Sequence, residues 1–202
     1  GLETPTNLAV QGRYVYALGS SGPRLEIAYI SDPANPRHVS ATLLTLALPT
    51  DIVVVGSYAY ITSYNSNGVE IVNISNPLSP GLRDTITDTN DTALPQPRTI
   101  VVHGKYAYVG AAGGVEVLDV SNPWDIKHVA AIFDNADTLL DAPQALILQG
   151  NRLYVASENS DGVEVLDISG LDVPAANIGS LAAGSLDVWQ GANIAGALNV
   201  AS

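Results

Sequence analysis

Three short polar runs concentrate the carboxylates of this sequence: "DTNDT" at Asp88–Thr92, "DNADTLLD" at Asp134–Asp141 and "ENSDG" at Glu158–Gly162. Clustered carboxylate and amide oxygens are the donor set of hard cations such as calcium. Asp88, Asn90, Asp134 and Asp137 are the candidate metal ligands. The first run opens like a calcium loop, yet Thr92 and Ala93 stand where an EF-hand places a further acid or amide and a glycine. The simpler reading of the same residues is a set of solvated loops, since charge runs usually face water. Paired carboxylates also serve glycoside chemistry, and a hydrolase or lyase acting on carbohydrate would draw on Asp88, Asp134 and Asp141. Tyr64 and Trp124, beside turn residues, are candidate aromatic platforms for a sugar. With Asp88, Asp91, Asp134, Asp137 and Asp141 they make up the candidate ligand-binding set.

The sequence lacks the motifs of a familiar catalytic apparatus: no G-x-S-x-G, P-loop, G-x-G-x-x-G or H-E-x-x-H occurs. His38 and His128 stand in matching contexts, Arg-His-Val and Lys-His-Val, which makes them architectural before anything else. No catalytic residue is assigned, and the expectation is a chain that is not an enzyme. Asn90 heads an Asn-Asp-Thr sequon on a polar run, a glycosylation site in a host that performs it. Asn73 heads another inside an apolar run, where modification is not expected.

Composition narrows the partners. Twenty acids against eight bases give a formal charge of −12, which repels nucleic acid and anionic membrane surfaces. Cations, neutral glycans and basic protein surfaces remain. With no cysteine there is neither a disulfide nor a thiolate metal site. Methionine is absent too, even from position 1, so the sequence reads as a processed product or a fragment. The lack of both sulfur residues fits an extracellular setting, on a cell or virion surface. No run of 18 apolar residues predicts a membrane-spanning helix.

What must position these residues is a repeat. "GRYVYAL" at Gly12–Leu18 returns as "GSYAYIT" at Gly56–Thr62, "GKYAYVG" at Gly104–Gly110 and "GNRLYVA" at Gly150–Ala156. A second phrase follows each: "LEIAYIS" ending at Ser31, "VEIVNIS" at Ser75, "VEVLDVS" at Ser121 and "VEVLDIS" at Ser169. Each copy opens on a proline, at Pro5, Pro49, Pro97 and Pro143. Within a copy the runs are short, rich in Val, Ile and Tyr, and bounded by turn residues, as strands are. A fourth, weaker strand is expected at Val39–Leu44, Leu82–Thr87, Val129–Phe133 and Asn177–Leu181.

Several strands, such as "IVVV", are apolar on both faces, which requires burial on both sides. Four-stranded antiparallel units of about 45 residues stacked around an axis are propeller blades. A two-sheet sandwich also supplies regular strands, but its strands do not repeat every fourth one. The fold expected is an all-β propeller of four blades over residues 1–181, in repeats near 5–48, 49–94, 95–141 and 142–181. Tyr16, Tyr60, Tyr108 and Tyr154 belong to its core. Its geometry gathers the acidic loops, with Glu158 and Asp161, at one end. Arg13, Lys105, Arg152, Arg37, Arg83 and Lys127 fall at the other.

Gly-x-Tyr-x-Tyr followed by Gly-Val-Glu-Val-Leu-Asp-Val-Ser-Asn-Pro resembles the LVIVD repeat of bacterial and archaeal surface or secreted proteins, over roughly Pro5 to Ser169. That resemblance implies a β-propeller and little about its task. The repeat's aspartate is kept as Asp119 and Asp167 but is Tyr29 and Asn73 in the first two copies. The Asn-Pro turn is intact at Asn76-Pro77 and Asn122-Pro123, is Asp32-Pro33 in copy one, and is lost at Ser169-Gly170.

Residues 182–202 depart from the pattern. Leu186, Asp187 and Val188 recur as Leu198, Asn199 and Val200. The segment resembles the shaft repeats of trimeric tail-fibre and adhesin stalks, and its alternative is a disordered linker. The function expected from the whole is a non-catalytic recognition or structural module. It would head an adhesin, tail fibre or surface filament, bind a glycan, cation or protein, and form homo-oligomers through the C-terminal segment.

Overall fold

Each repeat folds as one antiparallel sheet because its turns leave the chain no other course. The turn glycine of the first hairpin adopts a φ near +60° in all four copies, at Gly12, Gly56, Gly104 and Gly150. Only glycine takes that conformation at little cost, and a two-residue hairpin wants it there. The flanking strands then pair in fixed register, Gln11 opposite Tyr14 and Val55 opposite Tyr58.

The computed structural model describes residues 4–89 and 92–168. Blade 1 consists of β1 (Pro5–Gln11), β2 (Tyr14–Gly19), β3 (Arg24–Tyr29) and β4 (Arg37–Leu43). Blade 2 is β5 (Pro49–Val55), β6 (Tyr58–Ser63), β7 (Gly68–Asn73) and β8 (Gly81–Thr87). Blade 3 is β9 (Thr99–His103), β10 (Tyr106–Ala111), β11 (Gly114–Asp119) and β12 (Lys127–Phe133). Blade 4 has three described strands, β13 (Pro143–Gln149), β14 (Arg152–Ser157) and β15 (Gly162–Asp167). Strand order follows the sequence in every sheet. The strand expected at Asn177–Leu181 and the segment 182–202 lie outside the described residues, as do Asn90 and Asp91. The described fourth strands start one or two residues earlier than expected, because Arg37 already pairs with Tyr29, Gly81 with Asn73 and Lys127 with Asp119.

Blades stack face to face. Alternation sends Tyr16, Leu18, Leu25 and Ile27 of blade 1 onto Ile52, Ala59, Ile61 and Val72 of blade 2. Tyr60, Val69 and Ile71 of blade 2 meet Ile100, Ala107, Val109 and Leu118 of blade 3. Tyr108 and Val115 of blade 3 meet Leu146, Leu153 and Val155 of blade 4. The core is thus three equivalent junctions. Tyr16, Tyr60 and Tyr108 are buried in them, whereas Tyr154, on the outer face of blade 4, is only half-buried.

The first strands line the axis. β1 packs on β5, β5 on β9 and β9 on β13. Polar side chains stitch them: Asn7 Nδ2 donates to Asp51 Oδ1 at 2.8 Å, and Asp51 Oδ2 accepts the Ile100 N–H at 2.9 Å. Thr99 Oγ1 accepts the Leu146 N–H at 3.3 Å.

Candidate functional site

The residue before each opening proline has a left-handed backbone: Thr4 (φ 47°), Leu48 (57°), Gln96 (52°) and Ala142 (57°). Such angles are uncommon for residues with a Cβ. In three copies they aim a carbonyl at the tip of the blade's own second hairpin. Thr4 O accepts from Ser20 N, Leu48 O from Tyr64 N and Ala142 O from Glu158 N. Hairpin tips are thereby drawn toward the starts of the axial strands, and Tyr64 and Glu158 with them.

Between those two tips stands Arg98, at the entry to β9. Its guanidinium carbon lies 5.4 Å from the centre of the Tyr64 ring. Its Nη1 is 3.3 Å from Glu158 Oε2, which also accepts from Gln144 Nε2 at 2.5 Å. An aromatic face, a cation, a carboxylate and an amide from blades 2, 3 and 4 thus form one continuous surface. Arg98 Nε is buried and has no hydrogen-bond partner there. Planar guanidinium and amide groups beside a ring offer paired hydrogen bonds and a stacking plane, the equipment of a polar-ligand site.

The aspartates of the acidic loops hold the chain locally. Asp88 Oδ1 accepts from Thr92 Oγ1 and Leu94 N, both at 3.0 Å. Asp134 Oδ1 repeats the arrangement with Thr138 Oγ1 at 3.3 Å and Leu140 N at 3.1 Å. Each aspartate closes the loop that enters the next blade and seats a fully buried leucine, Leu94 or Leu140. Asp137 is exposed, its N–H donated to Asn135. Asp141 is tied to the blade 4 hairpin, its Oδ1 accepting from Asn159 Nδ2. Among the described residues no three His, Asp or Glu side chains stand together as a metal group. Trp124 is exposed, with the Arg83 guanidinium 4.4 Å from its ring centre. It lies on the loop between β11 and β12 of blade 3, at the strand end opposite to that of the second hairpins, one of which carries Tyr64 in blade 2. Asn73 is engaged locally, its Oδ1 accepting from Ser75 N and Oγ.

Sequence reasoning passed over a recurring glutamate in the third strand, Glu26, Glu70, Glu116 and Glu164. Glu70 and Glu116 are buried in blade junctions. Glu70 accepts from Thr45 N, Thr45 Oγ1 and Leu46 N at 3.0–3.1 Å. Glu116 accepts from Ala93 N at 2.8 Å, and His128 Nδ1 lies 2.5 Å from its other oxygen. Glu164 accepts from Leu139 N. Burial raises the carboxyl pKa of both Glu70 and Glu116, and the hydrogen bonds from the incoming loops oppose it. The His38 side chain plays the His128 part in blade 1, its Nε2 2.9 Å from Glu26. A charged residue inside an apolar strand of every copy was the available signal.

Comparison with known proteins agrees with this architecture. Residues 49–88 and 96–126 match the LVIVD repeat. The fold is a repeat β-propeller. A protein of unknown function from Desulfotomaculum acetoxidans superposes at a TM-score of 0.67 with 18% identity, over 83% of this chain and 56% of its own. The computationally designed Ika4 protein gives 0.64 at 13% identity, over 83% of this chain and 93% of its own. BamB from Moraxella catarrhalis gives 0.55 at 20% identity, over 79% and 41%. The chain spans about half the length of the first solved structures it matches. The sequence has no match among curated proteins.

Proposed function

We propose that this propeller is a non-catalytic recognition module of an extracellular appendage and that its hairpin-tip surface binds a glycan. The observation that carries the reading is the Tyr64–Arg98–Glu158–Gln144 array, spread over three blades of one rigid scaffold. Loops and loop-proximal residues on such scaffolds are where binding usually resides. In the same reading the residues from 182 onward begin a stalk repeat, a view supported by the recurrence of Leu186 and Val188 as Leu198 and Val200. The acidic, sulfur-free composition supports the outside of a cell or virion as its place.

The test is a glycan array probed with labelled protein, wild type beside Tyr64→Ala and Arg98→Ala. Binding to a sugar class that drops at least tenfold in both variants is expected. Binding to no sugar, or binding that both variants retain, contradicts the reading. Release of reducing ends from a bound oligosaccharide contradicts its non-catalytic part.

A further inference from the structure

The three junctions inside the chain show what a blade needs on each side. At the inner edge of the face that looks back toward the preceding blade, Ile52, Ile100 and Leu146 are 6%, 3% and 6% exposed, yet Leu8 at the same position of blade 1 is 58% exposed. On the face that looks forward, Leu25, Val69 and Val115 are completely buried, whereas Val163 of blade 4 is 60% exposed. Val10 shares the open face of blade 1, and Ile147 and Val165 that of blade 4; all three are exposed. β13 packs on β9, with no comparable packing on β1. Among the described residues the four blades therefore form an open arc whose two end faces are apolar and uncovered, and these are the two halves of the junction that the chain builds three times within itself.

We propose that two copies of this chain close head to tail into one ring of eight blades, the bare face of blade 4 in each copy packing on the bare face of blade 1 in the other. Each copy carries both halves, so the contact is heterologous and closes once the turn of the second arc meets the first. Eight blades lie within the usual span of propellers, and the solved structures first matched are about twice as long as this chain's matching part. The junction between copies lacks one clasp found inside the chain. Asp51 and Thr99 each hold a backbone N–H of the following blade, but Ala145 stands at their position in blade 4. The ring should therefore open at these two seams first.

Sedimentation equilibrium tests this. The expected species has twice the 21.0 kDa chain mass. Leu8→Glu and Val163→Glu each spoil both seams and should each give a monomer with an unchanged far-UV circular dichroism spectrum. Mixed together, they keep one good seam, Val163 of the first variant against Leu8 of the second, and should recover a dimer. A wild-type monomer overturns the proposal, including one whose Val163→Glu form is merely less stable, since the face is then covered from within the chain. An oligomer that survives both substitutions also overturns it, because association then runs through another segment such as the C-terminal one. Neither result bears on glycan binding by the Arg98 surface.

Discussion

Replacing Glu70 by alanine should loosen the junction between blades 1 and 2 by an amount its hydrogen bonds allow us to state. Three donors lose their acceptor: the N–H groups of Thr45 and Leu46 and the Thr45 hydroxyl. Leu46 is buried, so its N–H has no water to turn to, while Thr45 is exposed. An orphaned buried donor costs about 1–3 kcal/mol and a hydratable one less, which sums to about 3 kcal/mol. Domains of this kind are stable by about 5–15 kcal/mol, so the variant should still fold. With a urea m-value of about 2 kcal/mol/M, the unfolding midpoint should drop by about 1.5 M. Glu164→Ala is the internal control. It removes one exposed acceptor, for Leu139 N, and should move the midpoint by less than about 0.5 M. Urea titration followed by far-UV circular dichroism reads both. Equal shifts for the two variants would refute the claim that these glutamates act by satisfying buried loop donors.

Three further outcomes follow from the same geometry. Burial lifts the carboxyl pKa of Glu70 and Glu116 in the folded state. Their charged-form penalty is then fully present above the raised value and absent below the unfolded one, so it should ease as pH falls through that window. Urea midpoints at about pH 7 and about pH 5 should show a shallower pH dependence in a Glu70→Gln, Glu116→Gln double variant than in wild type. Gly114→Ala should be far more damaging than Gly12→Ala. A Cβ on Gly114 would meet Ile132 O at 2.1 Å at a φ of +130°, whereas Gly12 opens onto free space and its loss costs about 1 kcal/mol, read as melting temperatures. Asp51→Ala removes the clasp between β1, β5 and β9, and hydrogen exchange at the Ile100 amide should speed up about tenfold or more, at about 1.4 kcal/mol per decade.

Much of the fold could be read from residues alone, for reasons that are now visible. Gly12, Gly56, Gly104 and Gly150 announce the same hairpin because one backbone angle requires them. Unbroken apolar runs such as Ile52–Val55 announce a sheet covered on both sides. The site was less legible, because Arg98, Tyr64 and Glu158 come from three copies and no single repeat contains the array. Asp88 and Asp134 read as cation ligands in the sequence, where a loop-closing aspartate and a metal-binding one look alike. Their loop-closing part is visible only in the hydroxyls of Thr92 and Thr138 and the N–H groups of Leu94 and Leu140 that donate to their first oxygen. The bare faces were invisible in the sequence, as Leu8 and Val163 are the same kinds of residue as their buried counterparts and differ only in what stands opposite.

A pair of engineered cysteines tests the arc most directly, because the chain has none of its own. Asn7 and Asp51 touch across neighbouring axial strands, and Ala145 occupies the matching place in β13. A mildly oxidised Asn7→Cys, Asp51→Cys protein should form a disulfide within one chain. Asn7→Cys, Ala145→Cys should form one between two chains, running as a covalent dimer on a non-reducing gel. An internal 7–145 bond in a monomer would mean that four blades close on themselves and that no second copy is needed.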